Sequence, residues 1–389
     1  MKYQSYLNAW ISYPTLRRSV LAVSLATLAS TGASAQTYTV IDLTPTAVNA
    51  VAEGVAGGIA GGSVAESATG IAARATVWDV NGQIDVHPAF LADPATGSVG
   101  RSAILGVAAG VQVGWGFGSG TAGRTAPMIW HGTRESAAIL PIPFTNFGGQ
   151  AAATDGNQIV GYATGTSTDG TTIGVTHAML WDAATGTAID LGDGGKGAMA
   201  YGVGGGVQVG QVNRGNANAA LWRGSDRTLV VLHPRDAVVS TASGTDGVRQ
   251  VGSAGYDVRV RREAAKGNKD ARFTYAFVWS GSAASGLNIH AGMAVNGTIP
   301  FAHSYALAVS GPWIVGYAVD ATKFGTPASS HAIVWDADYQ PTDLNAFLPA
   351  GFVGAMAQDV DAQGQISGVI YTAEGRRHAA LWVPTSARP

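Results

Sequence analysis

A tryptophan recurs seven times along the chain, and this recurrence restricts the possible folds more than any other feature. The intervals run from 41 residues (181 to 222) to 57 residues (222 to 279). An alanine stands three residues before six of these tryptophans, and Pro127 takes its place in the other. A repeat of this length is typical of the blades of a β-propeller. The seven positions are Trp78, Trp130, Trp181, Trp222, Trp279, Trp335 and Trp382.

A second signature precedes most of the tryptophans. It reads VQVG at 111–114 and 207–210, QIVG at 158–161, RQVG at 249–252, WIVG at 313–316 and QISG at 365–368, with a weaker GIAG ending at Gly61. Small-residue segments such as AMAYGV (198–203), SYALAV (304–309) and AMAQDV (355–360) come before it, and segments such as TAIDLG (187–192) follow the tryptophan. Each repeat therefore contains four short strands. We predict an all-β, seven-bladed propeller of four-stranded antiparallel blades, formed as one domain by residues 36–389.

The residues of HAMLW (177–181) indicate that both faces of a blade are buried. Alternate residues of a strand point to opposite faces, and here both sets are apolar or small. The recurring alanine and strand glycine fit places where adjacent blades approach closely. The chain ends in HAALWVP without a fourth strand. We therefore expect residues 37–43, TYTVIDL, to pair beside His378–Trp382 and close the ring.

Residues 1–35 have the pattern of a secretory signal peptide. Arg17 and Arg18 precede an apolar run that ends in Ala33-Ser34-Ala35. The paired arginines leave the export route open between the general and the twin-arginine pathways. No transmembrane segment is expected, because the apolar run is shorter than a bilayer span. The predicted location is extracellular or periplasmic.

The composition excludes several function classes. The chain has no cysteine, so neither disulfides nor thiol chemistry are possible. Only 12% of residues are charged and the net charge is -2, so no nucleic-acid partner is expected. We expect a monomer without a cofactor. No G-x-S-x-G motif, P-loop or convincing dinucleotide fingerprint is present, so catalytic residues stay unknown.

Histidines recur at two places in the repeat. His177, His331 and His378 begin the HAxxW motif, where other repeats carry unrelated residues, so we interpret them as structural. A second set, at 87, 233 and 290, ends the predicted fourth strand. That strand is outermost in a blade, which would keep these three too far apart to share a metal, so no metal site is expected. Aspartates 155, 246 and 361 fall in predicted first hairpin turns, where Asp favours the turn itself.

The motifs HAMLW, HAIVW and HAALW, together with QIVGYA and WIVGYA, resemble those of the HAF family of probable extracellular repeat proteins. The resemblance implies export and a propeller-like fold. The family has no assigned chemistry that could be transferred to this chain. Its repeat histidine matches residues 177, 331 and 378, which agrees with a structural role.

The connections between strands two and three, and from strand four to the next repeat, vary most in length. Antiparallel order places both on one face, which we predict to be the binding surface. The segment 256–275 adds a basic arm, since six basic residues stand there against three acidic ones. We expect a hairpin with its turn near KGNK that contacts an anionic partner, or one that merely stays solvated. The predicted ligand-binding residues are Trp115, Phe117, Tyr162, Tyr256, Arg259, Arg261, Arg262 and Tyr317.

These observations predict a secreted, non-enzymatic binding module for a protein or an anionic glycan. The alternative is a hydrolase or lyase whose acid and base come from different blades. Two facing carboxylates, or a histidine and a carboxylate, at the axis on the variable face would favour the enzyme. A rim of small residues would favour the binding module. A purely structural surface protein is a third hypothesis.

Overall fold

The computed structural model describes residues 36–47, 49–65, 73–108, 110–166, 170–171, 173–192, 196–226, 228–260, 269–290, 301–320, 323 and 325–385. The predicted signal peptide and two predicted binding residues, Arg261 and Arg262, lie outside this part of the chain. Within it the secondary structure is β-strand with a few single-turn 3-10 helices. None of the helices in these residues has the length and apolar character needed to cross a membrane.

The strands are short, as the predicted repeat requires. In chain order they are β1 (Tyr38–Asp42), β2 (Asn49–Ala56), β3 (Ile59–Ala65), β4 (Arg74–Asp79), β5 (Gly82–Asp85), β6 (Arg101–Ala108), β7 (Val111–Phe117), β8 (Ala126–Trp130), β9 (Ala138–Ile139), β10 (Asn146–Thr154), β11 (Gln158–Thr166), β12 (Ile173–Asp182), β13 (Ala188–Gly192), β14 (Ala198–Gly204), β15 (Val207–Asn213), β16 (Ala217–Arg223), β17 (Thr228–Val231), β18 (Val239–Thr245), β19 (Gln250–Val260), β20 (Lys269–Trp279), β21 (Leu287–Asn288), β22 (His303–Ser310), β23 (Trp313–Val319), β24 (Ser330–Trp335), β25 (Pro341–Asp343), β26 (Phe352–Val360), β27 (Ile366–Thr372) and β28 (Arg377–Pro384). The 3-10 helices are Ala89–Leu91, Ser119–Thr121, Gly224–Asp226, Ala283–Ser285, Pro327–Ser329 and Leu344–Phe347.

Consecutive strands form the blades. Strands β6–β9, β10–β13, β14–β17, β18–β21 and β22–β25 make five separate four-stranded sheets, each ordered from first to fourth strand. The prediction of four-stranded antiparallel blades is confirmed, but five stand alone rather than seven. The other eight strands share one sheet, ordered β26-β27-β28-β2-β3-β4-β5 with β1 also on β28. A single parallel pair, Asn49 with Arg377, joins its two halves.

The predicted closure by the N-terminal strand is confirmed. Strand β1 runs antiparallel to β28, in register from Tyr38 opposite Pro384 to Asp42 opposite Ala380. The N–H of Thr385 donates to the carbonyl of Thr37 at 3.0 Å. Residues from the two ends of the described chain therefore complete one four-stranded set.

The repeat tryptophans form the hydrophobic core between sheets. All seven are at most 3% exposed. Trp181, for example, packs with Ile159 of its own sheet and with Val113 and Ile129 of the preceding one. Its indole N–H donates to the carbonyl of Pro141 at 2.6 Å, so its polar atom is satisfied as well. Both faces of the blades are buried, as the alternation in HAMLW predicted.

The first strand of every repeat contains a β-bulge, which adds one residue to that strand. The second strand of the same repeat has a glycine beside this bulge. A Cβ at that glycine would overlap a carbonyl oxygen of the first strand. The bulge residues, which the ladder leaves unpaired, are Glu53, Leu105, Ala152, Tyr201, Ser243, Leu307 and Gln358. The tight glycines, as we call those facing them, are Gly62, Gly114, Gly161, Gly210, Gly252, Gly316 and Gly368.

The bulges correct one detail of the sequence interpretation. The signature glycine was expected where adjacent blades meet, but the close approach lies between two strands of one repeat. In the first repeat the equivalent residue is Gly62 rather than Gly61. A Cβ on Gly61 would instead meet the side chains of Ile104 and Val107 from the neighbouring sheet.

Candidate functional site

The seven bulge residues line one cavity at the centre of the ring. All seven are half-buried, and most of the residues beside them are buried. A bulge turns one extra side chain away from the ladder, so each first strand offers one residue to the axis. The backbone feature is the same seven times, whereas the side chains are acidic, aromatic, hydroxylic, amide or aliphatic.

The axial cavity, as we call this space, has a volume of about 490 Å³. Beyond the bulge residues, its walls come from the later half of each first strand and from the turns that follow. Gly57, Asp155 and Gln363 of these turns line it. The cavity therefore lies towards the face of the short first-to-second-strand turns. That face is opposite to the one predicted to bind a ligand.

The charged residues in the lining of the axial cavity are acidic. Of the described residues that line it, four are acidic and none is Lys, Arg or His. The chain as a whole has 25 acidic and 23 basic residues, so this imbalance is local. The acidic residues are Glu53, Asp155, Asp359 and Asp361.

Glu53 is the carboxyl group at the bulge of the first repeat. Burial raises its pKa to about 7, an effect that the positive charge of Arg377 only partly offsets. A carboxyl group that titrates near neutrality can donate or accept a proton under physiological conditions.

Asp359 stands directly after the bulge of the last repeat, where six repeats have Gly or Ala. Its Oδ2 accepts the N–H of Val55 from the first repeat at 3.0 Å, and its Oδ1 accepts the N–H of Val360 at 2.8 Å. Burial raises its pKa to about 6, although these N–H groups act in the opposite direction. Asp359 thus links the first strands of the last and first repeats and adds a second titratable carboxyl.

Asp361 begins the turn after the same strand and is 6% exposed. Its Oδ1 accepts the N–H groups of Gln363 and Gln365, each at 2.9 Å, which confirms the predicted turn role. Its Oδ2 is buried without a hydrogen-bond partner of good geometry. Burial raises the pKa of this carboxyl, and neighbouring backbone N–H groups lower it in part. Asp361 therefore stabilises the turn that forms part of the cavity wall.

The predicted aromatic residues do not line the axial cavity. Trp115, Tyr162 and Tyr317 occupy the same position in three repeats, directly after the tight glycine, and each is half-buried. The ring of Tyr317 stacks on Tyr305 with centroids 4.6 Å apart. Burial raises the pKa of Tyr162 and of Tyr317. Repeat equivalence and stacking at Tyr317 indicate packing at this position.

The remaining predicted residues are spread over two sheets. The guanidinium of Arg101 lies 4.6 Å from the ring centre of Phe117. Tyr256 stacks on Tyr275 at 6.0 Å and borders a core cluster. Arg259 stands in β19 opposite Asp270 of β20, and the two strands stay paired as far as Val260 and Lys269. The long hairpin is thus present, while its predicted turn near KGNK falls largely outside the described residues.

The HAxxW histidines bond to carboxylates of their own sheet. Nδ1 lies 2.8–3.0 Å from an aspartate Oδ2 in the pairs His177–Asp190, His331–Asp343 and His378–Asp42. We call this arrangement the Asp latch. It joins the third strand to the fourth away from the axial cavity, and it gives these histidines a structural role.

The histidines after the fourth strand bond to serines of the next sheet. Nδ1 lies 2.7 Å from a serine Oγ in the pairs His87–Ser102, His233–Ser240 and His290–Ser304. Each serine also accepts an alanine N–H from the third strand, at 2.9–3.0 Å. We call this arrangement the Ser latch. Among the described residues no group of three His, Asp or Glu side chains is placed to hold a metal ion.

Sequence reasoning missed the bulge residues, although a signal for them exists. In AMAYGV, SYALAV and AMAQDV they are Tyr201, Leu307 and Gln358, each two residues before a valine. One residue varies inside an otherwise small-residue segment. It marks the position where the backbone is the same in every repeat and the side chain can differ. Comparing the seven segments with one another would have pointed to the axis.

Comparisons with known proteins bear on the fold alone. No protein-family model and no curated sequence matches the chain. The β-propeller domain of the Trilobed protease from Pyrococcus furiosus, described as having an open velcro topology, is 9% identical with a TM-score of 0.51, over 86% of this chain and 95% of that domain. The acylaminoacyl peptidase of Pyrococcus horikoshii is 11% identical with a TM-score of 0.50, over 86% of this chain and 51% of that one. This chain thus spans about half the length of that peptidase. The likeness shows that the chain folds as a β-propeller.

Proposed function

We propose that this protein is a propeller binding module whose ligand enters the axial cavity. The observation that carries the proposal is the contrast between seven identical bulges and the diverse side chains that they present. In repeat proteins, constant positions serve the scaffold, and function resides in positions that differ on it. The ligand site therefore moves from the variable face to the opposite face.

A thermal-shift screen tests this proposal and can be run with an unidentified ligand. The full chain is melted in the presence of cationic, anionic and neutral small molecules, since a ligand that binds only the folded state raises Tm. Ala152→Trp, which fills the cavity from a bulge position, should abolish the shift. The matched control Val80→Trp changes an exposed residue away from the axis. Compounds that stabilise the Ala152→Trp variant as much as the natural chain would place the site elsewhere.

A second candidate function is hydrolysis or elimination in the same cavity. It is favoured by the raised pKa values of Glu53 and Asp359, which could act as acid and base. Product formation by a compound found in the screen, lost in Glu53→Gln while binding persists, would establish the enzyme. Unchanged ligand recovered after prolonged incubation would leave the binding module.

We also propose that the eight-stranded sheet acts as two blades, so that the ring has seven. Both of its halves have a bulge and a tight glycine, and a single residue pair joins them. Replacing Asn49 by Pro would remove the N–H available to that pair. Hydrogen exchange then measures whether the two halves of the sheet open independently of each other. Opening as independent as that of neighbouring four-stranded blades would support seven blades.

We also propose that the protein is exported and that it belongs to the HAF-like repeat proteins. Both proposals are supported by the pattern of residues 1–35 and by the HAxxW motifs. N-terminal sequencing of the protein recovered outside the cytoplasm should begin near Gln36. Recovery only inside the cytoplasm, with the first 35 residues intact, would contradict export.

A further inference from the structure

The closing strand β1 begins directly after a cleavage pattern in the sequence. Small residues at the first and third positions before a cut are typical of signal-peptide cleavage, and Ala35 and Ala33 hold these positions. The ladder between β1 and β28 begins at Tyr38. The peptide bond before Gln36 therefore lies outside the paired residues. Cleavage after Ala35 would leave glutamine as the first residue of the exported chain.

A glutamine at the amino terminus contains both partners of a ring-closing reaction. The uncharged α-amino nitrogen attacks Cδ of the side-chain carboxamide, a C–N bond forms, and Nε2 leaves as ammonia. The product is pyroglutamate, a lactam. The reaction consumes no oxidant or second reactant, and it is favoured because both reacting atoms belong to one residue. Since the pKa of an α-amino group is ordinarily about 8, part of the amine is uncharged near neutral pH.

The surroundings of Gln36 allow this ring to form without disturbing the closure. Its Nε2 donates to the carbonyl of Thr37 at 3.2 Å in an exposed hydrogen bond, so the carboxamide already lies beside its own backbone. The same carbonyl accepts the N–H of Thr385 at 3.0 Å, so it stays bonded after Nε2 has left. The pairing of β1 with β28 therefore does not depend on the group that is lost.

Trimming of the chain from this end would damage the closure. Thr37 is exposed, yet its carbonyl holds Thr385, and the next residue, Tyr38, belongs to the hydrophobic core. Proteolysis concentrates at chain ends. Aminopeptidases require a free α-amine, and a lactam has none. A cyclised first residue would therefore preserve the strand that joins the two ends of the ring.

We propose that the exported chain begins with pyroglutamate formed from Gln36, and that this lactam protects β1 from aminopeptidases. The inference rests on the proposed export, because glutamine must first become the amino-terminal residue. The modification removes the positive charge of the terminus and leaves the ladder with β28 intact.

Mass spectrometry of the protein recovered outside the cytoplasm tests the modification. Its amino-terminal peptide should be lighter by one ammonia than a peptide that starts with unmodified Gln36, and Edman degradation should fail because no free amine is present. Gln36→Asn is the matched control, since its shorter amide would have to close a strained four-membered ring. The exported variant should give a readable sequence from asparagine at position 36. Recovery in cold acid keeps the amine protonated and prevents cyclisation during handling.

Digestion with an aminopeptidase tests the protective role. The natural chain should resist digestion, whereas Gln36→Asn should lose its first residues. Loss of Thr37 deprives the N–H of Thr385 of its acceptor, so digestion should lower the Tm of the variant but not that of the natural chain. Equal trimming of both chains, or an unchanged Tm in a variant trimmed past Thr37, would contradict protection.

The outcomes separate this inference from the proposed export. An exported chain that keeps a free amine on Gln36, or that begins at another residue, would refute the pyroglutamate while export stood. Recovery only inside the cytoplasm, with residues 1–35 attached, would refute export itself.

Discussion

The Asp latch and the Ser latch are two different hydrogen-bond arrangements that hold the third strand of a repeat. In the Ser latch of the Trp78 repeat, Ser102 accepts the N–H of Ala75 and donates to His87. The His87 Nε2–H in turn donates to the carbonyl of Val99 at 2.8 Å. Since Ser102 belongs to the next sheet, the Ser latch ties neighbouring blades together.

The Asp latch stays within one sheet. In the last repeat, Asp42 bonds to His378, and Thr44 accepts the N–H of Ala379 at 3.0 Å. A phenylalanine covers the histidine in all three cases, with centroids 4.6–5.2 Å apart in the pairs Phe144–His177, Phe301–His331 and Phe352–His378. The Asp latch thus fixes the outermost strand, whereas the Ser latch fixes the interface between sheets.

The Trp130 repeat differs from the other six. Among its described residues it has neither latch, and there Pro127 replaces the alanine. Proline has no backbone N–H, so the donor that the other repeats must satisfy is missing. In the Ser latch the histidine thus holds the serine that accepts a buried backbone N–H, whereas in the last repeat Thr44 accepts that N–H beside the Asp latch.

The largest effect should come from deleting residues 36–44, which removes the outermost strand and the Asp latch of the last repeat together. The edge of β28 would lie open and Tyr38 would leave the core. We expect Tm to fall by more than about 10 °C in thermal unfolding. A synthetic peptide of residues 36–44 should restore much of the loss. An unchanged Tm would show that closure contributes little.

The second effect contrasts the two acceptors of the alanine N–H in the third strand, Ser304 in a Ser latch and Thr44 beside an Asp latch. Ser304→Ala leaves two groups unsatisfied, the N–H of Ala276 and Nδ1 of His290, and should cost about 2–3 kcal/mol. Thr44→Val leaves only the N–H of Ala379 and should cost about 1–2 kcal/mol. Chemical denaturation measures both, with the exposed Ser280→Ala as control. Equal costs would mean that the histidine of the Ser latch adds nothing.

A third, smaller effect distinguishes members of the Asp latch. His378→Asn removes one bond to a carboxylate, at a cost of about 1 kcal/mol, and His177→Asn also removes the bond between Nε2 and the carbonyl of Thr166. In His378→Asn the loss should appear as faster amide exchange in β1, because β28 is the one described strand that pairs with it. In His177→Asn the chain on both sides of β13 restrains it. The triple variant at 177, 331 and 378 should bind ligand normally, and lost binding with cooperative melting would refute the structural role.

The smallest effect concerns pH and the Ser latch. Burial lowers the pKa of His87 and of His290 below the ordinary value of about 6.5. As pH falls, the unfolded chain takes up these protons first, so the stability contributed by neutral histidine is present above about pH 6.5 and is lost below it. His87→Asn and His290→Asn should flatten the decline of Tm between pH 7.5 and 5.5. An identical slope in the variants would refute this contribution.

Much of the fold could be predicted because large or conspicuous residues recur at the same positions of the repeat. Tryptophans such as Trp181 mark the buried third strand, and the IDL of residues 41–43 identified β1 as the missing outermost strand. Asp361 was placed correctly in its turn. These features depend on local sequence and on packing that repeats from blade to blade.

The site could not be predicted in the same way. A bulge inserts Tyr201 or Gln358 among small residues without changing the pattern of apolar positions, so the alternation gives no sign of it. The pairing of Asn49 with Arg377 joins segments far apart in sequence. The cavity depends on seven strands meeting at one axis, and which residues share it becomes visible only once the strands are assembled.

Because β1 pairs with β28, the chain could begin at another blade without changing which blades are neighbours. Since Thr37 and Thr385 touch, a short linker between them would turn the described chain into a closed loop. New ends could then be opened in another exposed turn, such as the one at Gly205 and Gly206 between β14 and β15. Such a circular permutant would keep every neighbour in the ring while changing which strands are synthesised first. It would show whether assembly depends on the order of synthesis or only on the neighbours that each blade finally acquires.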